Sequence, residues 1–311
     1  MTDARALLPT DLLFLAAQGA SYENEAWPRE RLGTQENQPA LSVLRDQVKA
    51  LGKSRGAWVS MHRQKLQALV GSRRRGTSQA WEIDYLIDGA AGSGVLANVL
   101  ELAVKSAGEH QAEKLFVRLE AHSSLMQAMR EAGFLTYQRE YLYAHPGGID
   151  AKPASMRHAT PADSYPLYRL YNSTTPEACR RYEAATYTEW QASRERHWLR
   201  NGVELVSERD GRLRAAVRAS RLTHCAMLDV TLGPDADTGA LELIAAGAQA
   251  VEADAGPLVV TVPASSESVA RQLEDGGFRS QGEYVSLMHR TTRPLAMPRM
   301  LPVAAKNAVG V

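Results

Sequence analysis

Hydrophobic and polar positions repeat along this chain with two periods, one typical of strands and one typical of helices. Alternating or continuously apolar runs that end at turn residues predict strands, and apolar spacings of three and four predict helices. In the first half, the predicted strands are 6–8, 57–62, 66–72, 81–87, 114–119 and 137–143. The predicted helices are 9–18, 39–51, 95–106 and a segment that ends at Gly133-Phe134.

The same order of elements returns in the second half of the chain. The predicted strands there are 155–159, 203–208, 213–220, 225–232, 258–262 and 284–289. The predicted helical segments are 161–190, interrupted at 172–176, then 239–253 and 266–275, which ends at Gly276-Gly277-Phe278. The sequence His145-Pro146-Gly147-Gly148 separates the two halves, because proline and glycine interrupt regular structure.

A constant offset relates the two halves. The two glycine–phenylalanine pairs are 277 − 133 = 144 residues apart, and the same offset joins four further pairs of positions. These pairs are Leu86 with Val230, Leu100 with Ile244, Phe116 with Val260, and Ser124 with Ser268. A register shared by strands and helices predicts a tandem repeat. The predicted organisation is an N-terminal domain at 1–146, a linker at 147–154, a C-terminal domain at 155–290 and a tail at 291–311.

The composition is that of an ordinary soluble globular protein. The 311 residues are 44% hydrophobic and 23% charged, and a net charge of +1 gives no strong attraction to nucleic acids or acidic membranes. The apolar residues 12–17 lie close to Asp3 and Asp11, which favours an amphipathic helix over a secretion signal. Two cysteines without metal-ligand spacing indicate free thiols in a reducing compartment. We therefore expect a cytoplasmic protein without a metal, nucleic-acid or membrane partner.

A glycine-rich loop follows the predicted strand 81–87 and precedes the predicted helix 95–106. It reads Gly89-Ala90-Ala91-Gly92-Ser93-Gly94. A strand that leads through glycines into a helix N-terminus is a favourable anion site, because free backbone N–H groups and the helix dipole converge there. The loop is not the dinucleotide-binding pattern Gly-x-Gly-x-x-Gly.

The order strand, glycine loop, helix, strand, helix, strand resembles the second half of a GNAT (GCN5-related N-acetyltransferase) domain. The loop of that family reads Gln/Arg-x-x-Gly-x-Gly/Ala, and Gly92 and Gly94 match its two small positions, whereas Gly89 and Ala91 replace the polar and basic residues that are common there. The resemblance implies a mixed α/β fold with two domains, each a mostly antiparallel sheet flanked by helices. It also implies acetyl-CoA or another acyl-CoA as co-substrate. The implied cofactor-binding residues are Ile87, Gly89, Gly92, Ser93, Gly94 and Ser124.

Two carboxylates on the predicted strand 81–87 are candidates for the base of such a reaction. Glu82 and Asp84 are two residues apart, so strand alternation aims both to one face and Tyr85 and Ile87 to the other. An acceptor amine must lose a proton before it attacks a thioester, and a carboxylate can accept that proton. A solvated strand face is the alternative interpretation of this pair. We expect Glu82, rather than Asp84, to be the base.

In the GNAT family, one residue commonly donates a proton to the CoA thiolate, and this chain has no counterpart of that residue. A tyrosine is common four residues before the glycine–phenylalanine pair, and the two corresponding residues are Met129 and Leu273. His122, which follows the strand 114–119, is a candidate acid, with an ordinary loop histidine as the alternative.

The loop of the second half is unfavourable for an anion. It reads Gly233-Pro234-Asp235-Ala236-Asp237-Thr238-Gly239, so two carboxylates would face a pyrophosphate. Two hypotheses follow. The first is an acyl-CoA-dependent N-acetyltransferase with its site in the N-terminal domain and a small-molecule or peptide amine as acceptor. The second is a catalytically inactive tandem binding or regulatory module. A homodimer is an open alternative for the assembly.

Overall fold

The computed structural model describes residues 4–11, 14–15, 22–33, 55–90, 94–253 and 256–291. The first half contains the strands β1 Ala4–Ala6, β2 Arg55–His62, β3 Lys65–Arg74, β4 Ala80–Asp88, β5 Lys114–Glu120 and β6 Leu135–His145. The second half contains β7 Arg157–His158, β8 Gly202–Arg209, β9 Arg212–Arg221, β10 Ala226–Leu232, β11 Leu258–Pro263 and β12 Arg279–Arg290. The fold is mixed α/β, as predicted.

Helices pack on both faces of the sheet that these strands form. They are α1 Val95–Glu109, α2 Met126–Glu131, α3 Ser164–Thr174, α4 Glu177–Glu183, α5 Tyr187–Ser193, α6 Ala240–Ala250 and α7 Glu267–Asp275. Helix α1 forms where the sequence places apolar residues three and four apart, and that face is buried with Trp81, Ile83 and Leu86 in the core of the first half. Helix α6 occupies the equivalent position in the second half, against β9 and β10.

The twelve strands form one continuous sheet through an exchange of the last strand of each half. The order is β1-β2-β3-β4-β5-β12-β6-β11-β10-β9-β8-β7. Strand β12 lies between β5 and β6 and is antiparallel to both. Strand β6 in turn pairs with β11 of the second half. Each half therefore supplies a strand that the sheet of the other half contains.

The predicted repeat is visible as an approximate two-fold relation around the β6–β12 pair. Glu140 and Tyr284, which are 144 residues apart, are direct partners in this pair. The rings of Phe134 and His289 lie 5.3 Å apart, and the equivalent rings of Phe278 and His145 lie 4.9 Å apart. The tandem organisation predicted from the offset is thereby confirmed.

The order of the predicted strands is also confirmed, with differences at the ends of elements. Strand β12 begins at Arg279, five residues before the predicted start at 284, because those residues pair with β6. The predicted helix 39–51 lies outside the described residues, and so do residues 12–13 and 16–18 of the predicted helix 9–18. The predicted domain boundaries remain predictions, and the strand exchange means that the sheet itself crosses them.

Candidate functional site

Strands β4 and β5 of the first half run parallel and then diverge. They pair from Ala80 with Lys114 to Glu82 with Phe116, and no further. Asp84 is an extra residue on β4, because Gly71 and Ser72 of β3 pair with Tyr85 and Ile83. This β-bulge bends β4 and leaves an opening between the two strands.

A segment of the chain itself, Asn24–Trp27, lies in this first opening. The backbone N–H of Glu25 donates to the carbonyl of Leu86 at 2.9 Å, and that of Trp27 donates to the carbonyl of Arg118 at 2.9 Å. The Asn24 side chain accepts a hydrogen bond from the backbone N–H of Leu86 at 2.9 Å and donates one to the carbonyl of Asp84 at 3.0 Å. The segment thus uses backbone groups of β4 and β5 that an extended ligand in this opening would need.

Glu82 and Asp84 are buried in ion pairs with arginines. Arg73 Nε donates to Glu82 Oε1 at 2.6 Å, and Arg55 Nη1 donates to Asp84 Oδ2 at 2.8 Å. Burial raises the pKa of Glu82, and the Arg73 guanidinium opposes that rise. Burial likewise raises the pKa of Asp84 against the opposing charges of Arg73 and Arg55. The alternative of a solvated strand face is wrong, because Glu82 is 6% exposed and Asp84 is 2% exposed.

The predicted alternation along β4 is wrong after Asp84. Gly71 and Arg73, two residues apart on β3, pair with Tyr85 and Glu82 respectively. The bulge therefore places Tyr85 and Ile87 on the same face as Glu82, where they pack in a small cluster with Val59 and Leu69. Ile87 is buried there as a core residue.

The other described site residues lie in the loops that precede α1 and α2. Gly94 precedes α1 in the left-handed conformation with φ +71°, which a glycine adopts without strain. Gly89 donates its N–H to the carbonyl of Gln67 at 2.9 Å. His122 and Ser124 are exposed in the loop before α2. Gly92 and Ser93 lie outside the described residues, so the predicted acyl-CoA loop remains a prediction.

The second half has an equivalent opening between β10 and β11. These parallel strands pair from Ala226 with Leu258 to Asp229 with Thr261 and then diverge. A cavity of about 330 Å³ lies at this point, and its wall includes residues 230–232 of β10, Pro263 at the end of β11, and Ser265 and Ser266 after it. Residues of helices α3, α4 and α5 also line the cavity. No local sequence pattern indicates this cavity, because its walls come from both halves of the chain.

Paired charges line the side of the cavity formed by the sheet. Arg118 donates to Glu140 and to Glu195, each at 2.7 Å, and Arg75 donates to Glu195 at 2.8 Å. Arg29 also binds Glu195 and Glu140. Burial alone would raise the pKa of both carboxyls, but the three arginines hold the pKa of Glu195 well below its usual range, and Arg118 and Arg29 lower that of Glu140.

Glu183 of α4 differs from the other carboxylates of the cavity. Arg75 Nη2 is 3.9 Å from Glu183 Oε1, beyond hydrogen-bond distance. The Tyr171 hydroxyl donates to Glu183 Oε2 at 3.1 Å. The other four carboxylates of the lining, Glu140, Glu195, Glu204 and Asp229, each accept hydrogen bonds from an arginine. Burial raises the pKa of Glu183.

The N-terminus of α6, beside the second opening, is capped by side chains. The Gly239 N–H donates to Glu242, and the Ala240 N–H donates to Gln272 Oε1 at 2.7 Å. Asp235 and Asp237 form ion pairs with Arg214 and Arg209 at 3.0 and 3.1 Å. The carboxylate of Glu242 therefore stands where a helix N-terminus would otherwise receive an anion.

The two openings fit an acyl-CoA differently. In the first half the space between the strands is filled by backbone that is hydrogen-bonded to both of them. In the second half a cavity lies at the opening, and the carboxylate of Glu242 caps the N-terminus of the adjacent helix α6. The residues described contain no group of three or more His, Cys, Asp or Glu side chains that could hold a metal ion. No helix among them is long and apolar enough to span a membrane.

Comparison with solved structures shows which fold this is. A GCN5-related N-acetyltransferase from Sphaerobacter thermophilus is similar at a TM-score of 0.56 and 16% identity, with 93% of this chain and 95% of that chain covered. The chain has the fold of the GNAT superfamily. A tandem GNAT protein from the clavulanic acid biosynthesis pathway is similar at a TM-score of 0.53 and 13% identity, with 93% and 98% covered. The fold is therefore the tandem form of that superfamily.

Sequence comparison adds no nearer relative. No protein-family model matches the chain, and no curated protein matches it.

Proposed function

We propose that this protein is an acyl-CoA-dependent N-acyltransferase whose acceptor is a small-molecule amine bound in the cavity beside β10 and β11. The observation that carries this proposal is the cavity itself, which lies where two parallel strands of a GNAT fold diverge. Its volume of about 330 Å³ lies at the small end of the range of ligand sites. A small amine fits this volume better than a peptide does.

The second half is the better location for acyl transfer because its opening is easier to enter. Beyond Asp229, the edge of β10 that faces β11 has no strand partner, so its backbone groups can bind an extended ligand. The sequence-based location in the N-terminal half stays a prediction, and the segment Asn24–Trp27 weighs against it. Entry there requires several backbone hydrogen bonds to break, whereas entry beside α6 requires one side chain, Glu242, to move.

The chain's share of the reaction is positioning and proton transfer. An acyl-CoA supplies an activated carbonyl carbon. The cavity holds the amine beside the opening, which converts an encounter in solution into a reaction between oriented groups. Backbone N–H groups on the free edge of β10 can stabilise the oxyanion that forms on the carbonyl. The buried carboxylates of the wall can accept the proton of the amine.

A tandem binding module without turnover is the second candidate function. Two specific observations favour it: the chain occupies the first opening, and Glu242 caps the helix beside the second. Met129 and Leu273, in place of a proton-donating tyrosine, agree with this alternative. Under this hypothesis the cavity would bind its ligand without any acyl donor.

A calorimetric titration of the full chain with acetyl-CoA separates the candidates. We expect one site per chain. Glu242→Gln keeps a hydrogen-bonding cap but removes its charge, so it should tighten binding about tenfold, which corresponds to ~1.4 kcal/mol. Asn24→Ala is the matched variant in the first opening and should leave the affinity unchanged.

Two other results of the titration would change the location of the site or the function. If Asn24→Ala tightens binding while Glu242→Gln does not, the site is in the N-terminal half. If acetyl-CoA binds to none of the three proteins, the second candidate replaces the proposed function.

A further inference from the structure

Of the carboxylates that line the cavity, Glu183 lies farthest from a guanidinium group. Its nearest guanidinium, that of Arg75, is 3.9 Å away and lies closer to Glu195, at 2.8 Å. The side chain of Glu183 is 19% exposed and lines the cavity, so a ligand there can reach it. A largely buried carboxylate without close charge compensation is costly, and a ligand cation that reaches it would lower that cost.

Tyr171 fixes the orientation of this carboxylate. Its hydroxyl donates to Glu183 Oε2, so the other oxygen, Oε1, keeps free acceptor capacity. Both residues line the cavity, and so does the unpaired end of β10. The carboxylate and the strand edge therefore line one cavity.

From this geometry we infer that the cavity is a binding site for a small primary ammonium group, with Glu183 as its ligand and as the base of acyl transfer. The inference rests on the proposed function for the catalytic part, whereas the binding part stands by itself. Glu183 pairs with the ammonium group on arrival and accepts one of its protons. Tyr171 is a positioning residue, because it acts through Glu183.

The amine loses two protons in the reaction, and Glu183 and the thioester sulfur accept one each. After Glu183 takes the first proton, the nitrogen lone pair forms a C–N bond to the thioester carbonyl carbon. The C–S bond then breaks, and the sulfur leaves as a thiol with the second proton that the nitrogen loses. Glu183 finally releases its proton to water, so that one amide, one thiol and one free proton result.

Several groups face Glu183 and set its protonation. They are Arg75, Lys114, Tyr137, Glu140, Tyr171, Cys179 and Glu195. Burial raises the pKa of Glu183, and Arg75 opposes the rise. A carboxylate with a raised pKa is a stronger base in its ionised form. Because the ionised form is required, kcat/KM should fall as the pH falls through this raised pKa.

The binding part is tested by calorimetry with four amines and no acyl donor. The probes are ethanolamine, glycinamide, putrescine and agmatine, and ethylene glycol is the uncharged analogue of ethanolamine. We expect at least one amine to bind the full chain and its affinity to fall at least tenfold in Glu183→Gln. Glu177→Gln, an exposed position on the same helix, should bind as the unmodified chain does. If Glu183→Gln binds the amine as tightly as the unmodified chain does, or if none of the four amines binds, the inference is overturned.

The catalytic part uses an amine that binds, together with acetyl-CoA. Glu183→Gln should lower kcat/KM by ~10²-fold and abolish its decline at low pH. Tyr171→Phe should lower it less and leave that decline in place, and both variants should keep the melting temperature of Glu177→Gln within a few degrees. Glu183-dependent amine binding without turnover would refute the proposed function alone. Turnover that Glu183→Gln leaves intact would refute Glu183 as the base alone.

Discussion

At the scale of single residues, Glu82 shows what a local pattern can and cannot predict. Two carboxylates on one strand predict a base, and the structure does place both on one face. Their partners, Arg73 and Arg55, come from β3 and β2, so the sequence around Glu82 does not show that its charge is paired. Glu183 is the opposite case. No sequence motif surrounds it, and only its position in the cavity indicates a role.

Replacing Glu82 tests these two interpretations of the residue. Glu82→Gln should lower the free energy of unfolding by about 1–3 kcal/mol, since Arg73 loses the charge that it binds at 2.6 Å in a buried site. Turnover with an acceptor amine should stay within a few-fold. Urea denaturation and steady-state rates measure the two effects, with the exposed Glu101→Gln as control. A loss of ~10²-fold in turnover at unchanged stability would instead make Glu82 the base that the sequence predicts.

At the scale of elements, the sequence predicts most strands and helices because their periodicity is local. Strands β2, β3 and β4 and helix α1 follow from runs of apolar residues that need no knowledge of their partners. The bulge at Asp84 was not predictable, because it depends on how β3 and β4 align. The same holds for the segment Asn24–Trp27, because its insertion depends on where β4 and β5 diverge.

The two glycines after α2 and α7 provide a matched pair of elements for measurement. Gly133 and Gly277 have φ of +85° and +86°, so alanine at either position should cost ~1 kcal/mol of stability. A Cβ on Gly133 would lie 3.1 Å from His289, whereas one on Gly277 would lie 3.5 Å from His145.

The first contact is tight and the second ordinary, so Gly133→Ala should destabilise the protein more than Gly277→Ala. Thermal unfolding of the two variants decides the order. The reverse order would show that backbone conformation, rather than the histidine contact, dominates the cost.

At the scale of the whole molecule, the strand exchange joins into one sheet the two halves that the sequence repeat predicts as separate domains. The repeat of 144 residues predicts two domains, and it does so correctly as regards the order of elements. It does not reveal that β12 enters the sheet of the first half, because β6 and β12 occupy equivalent positions in the repeat and either could stand beside β5. Buried polar contacts also link the two halves, since Arg29 of the first half binds Glu195 and Thr261 of the second.

Separate expression of the two halves tests how far each depends on the other. A fragment 1–150 lacks β12, which leaves β5 with an unpaired edge and removes the main partner of β6. Exposed strand edges of this kind favour aggregation, so each fragment alone should aggregate or lack a cooperative thermal transition. Fragments 1–150 and 151–311 produced together should form a 1:1 complex on size-exclusion chromatography, because each supplies the strand that the other lacks. A monomeric fragment 1–150 that unfolds cooperatively would show that the N-terminal half is a domain in its own right and that the exchanged strand is dispensable to it.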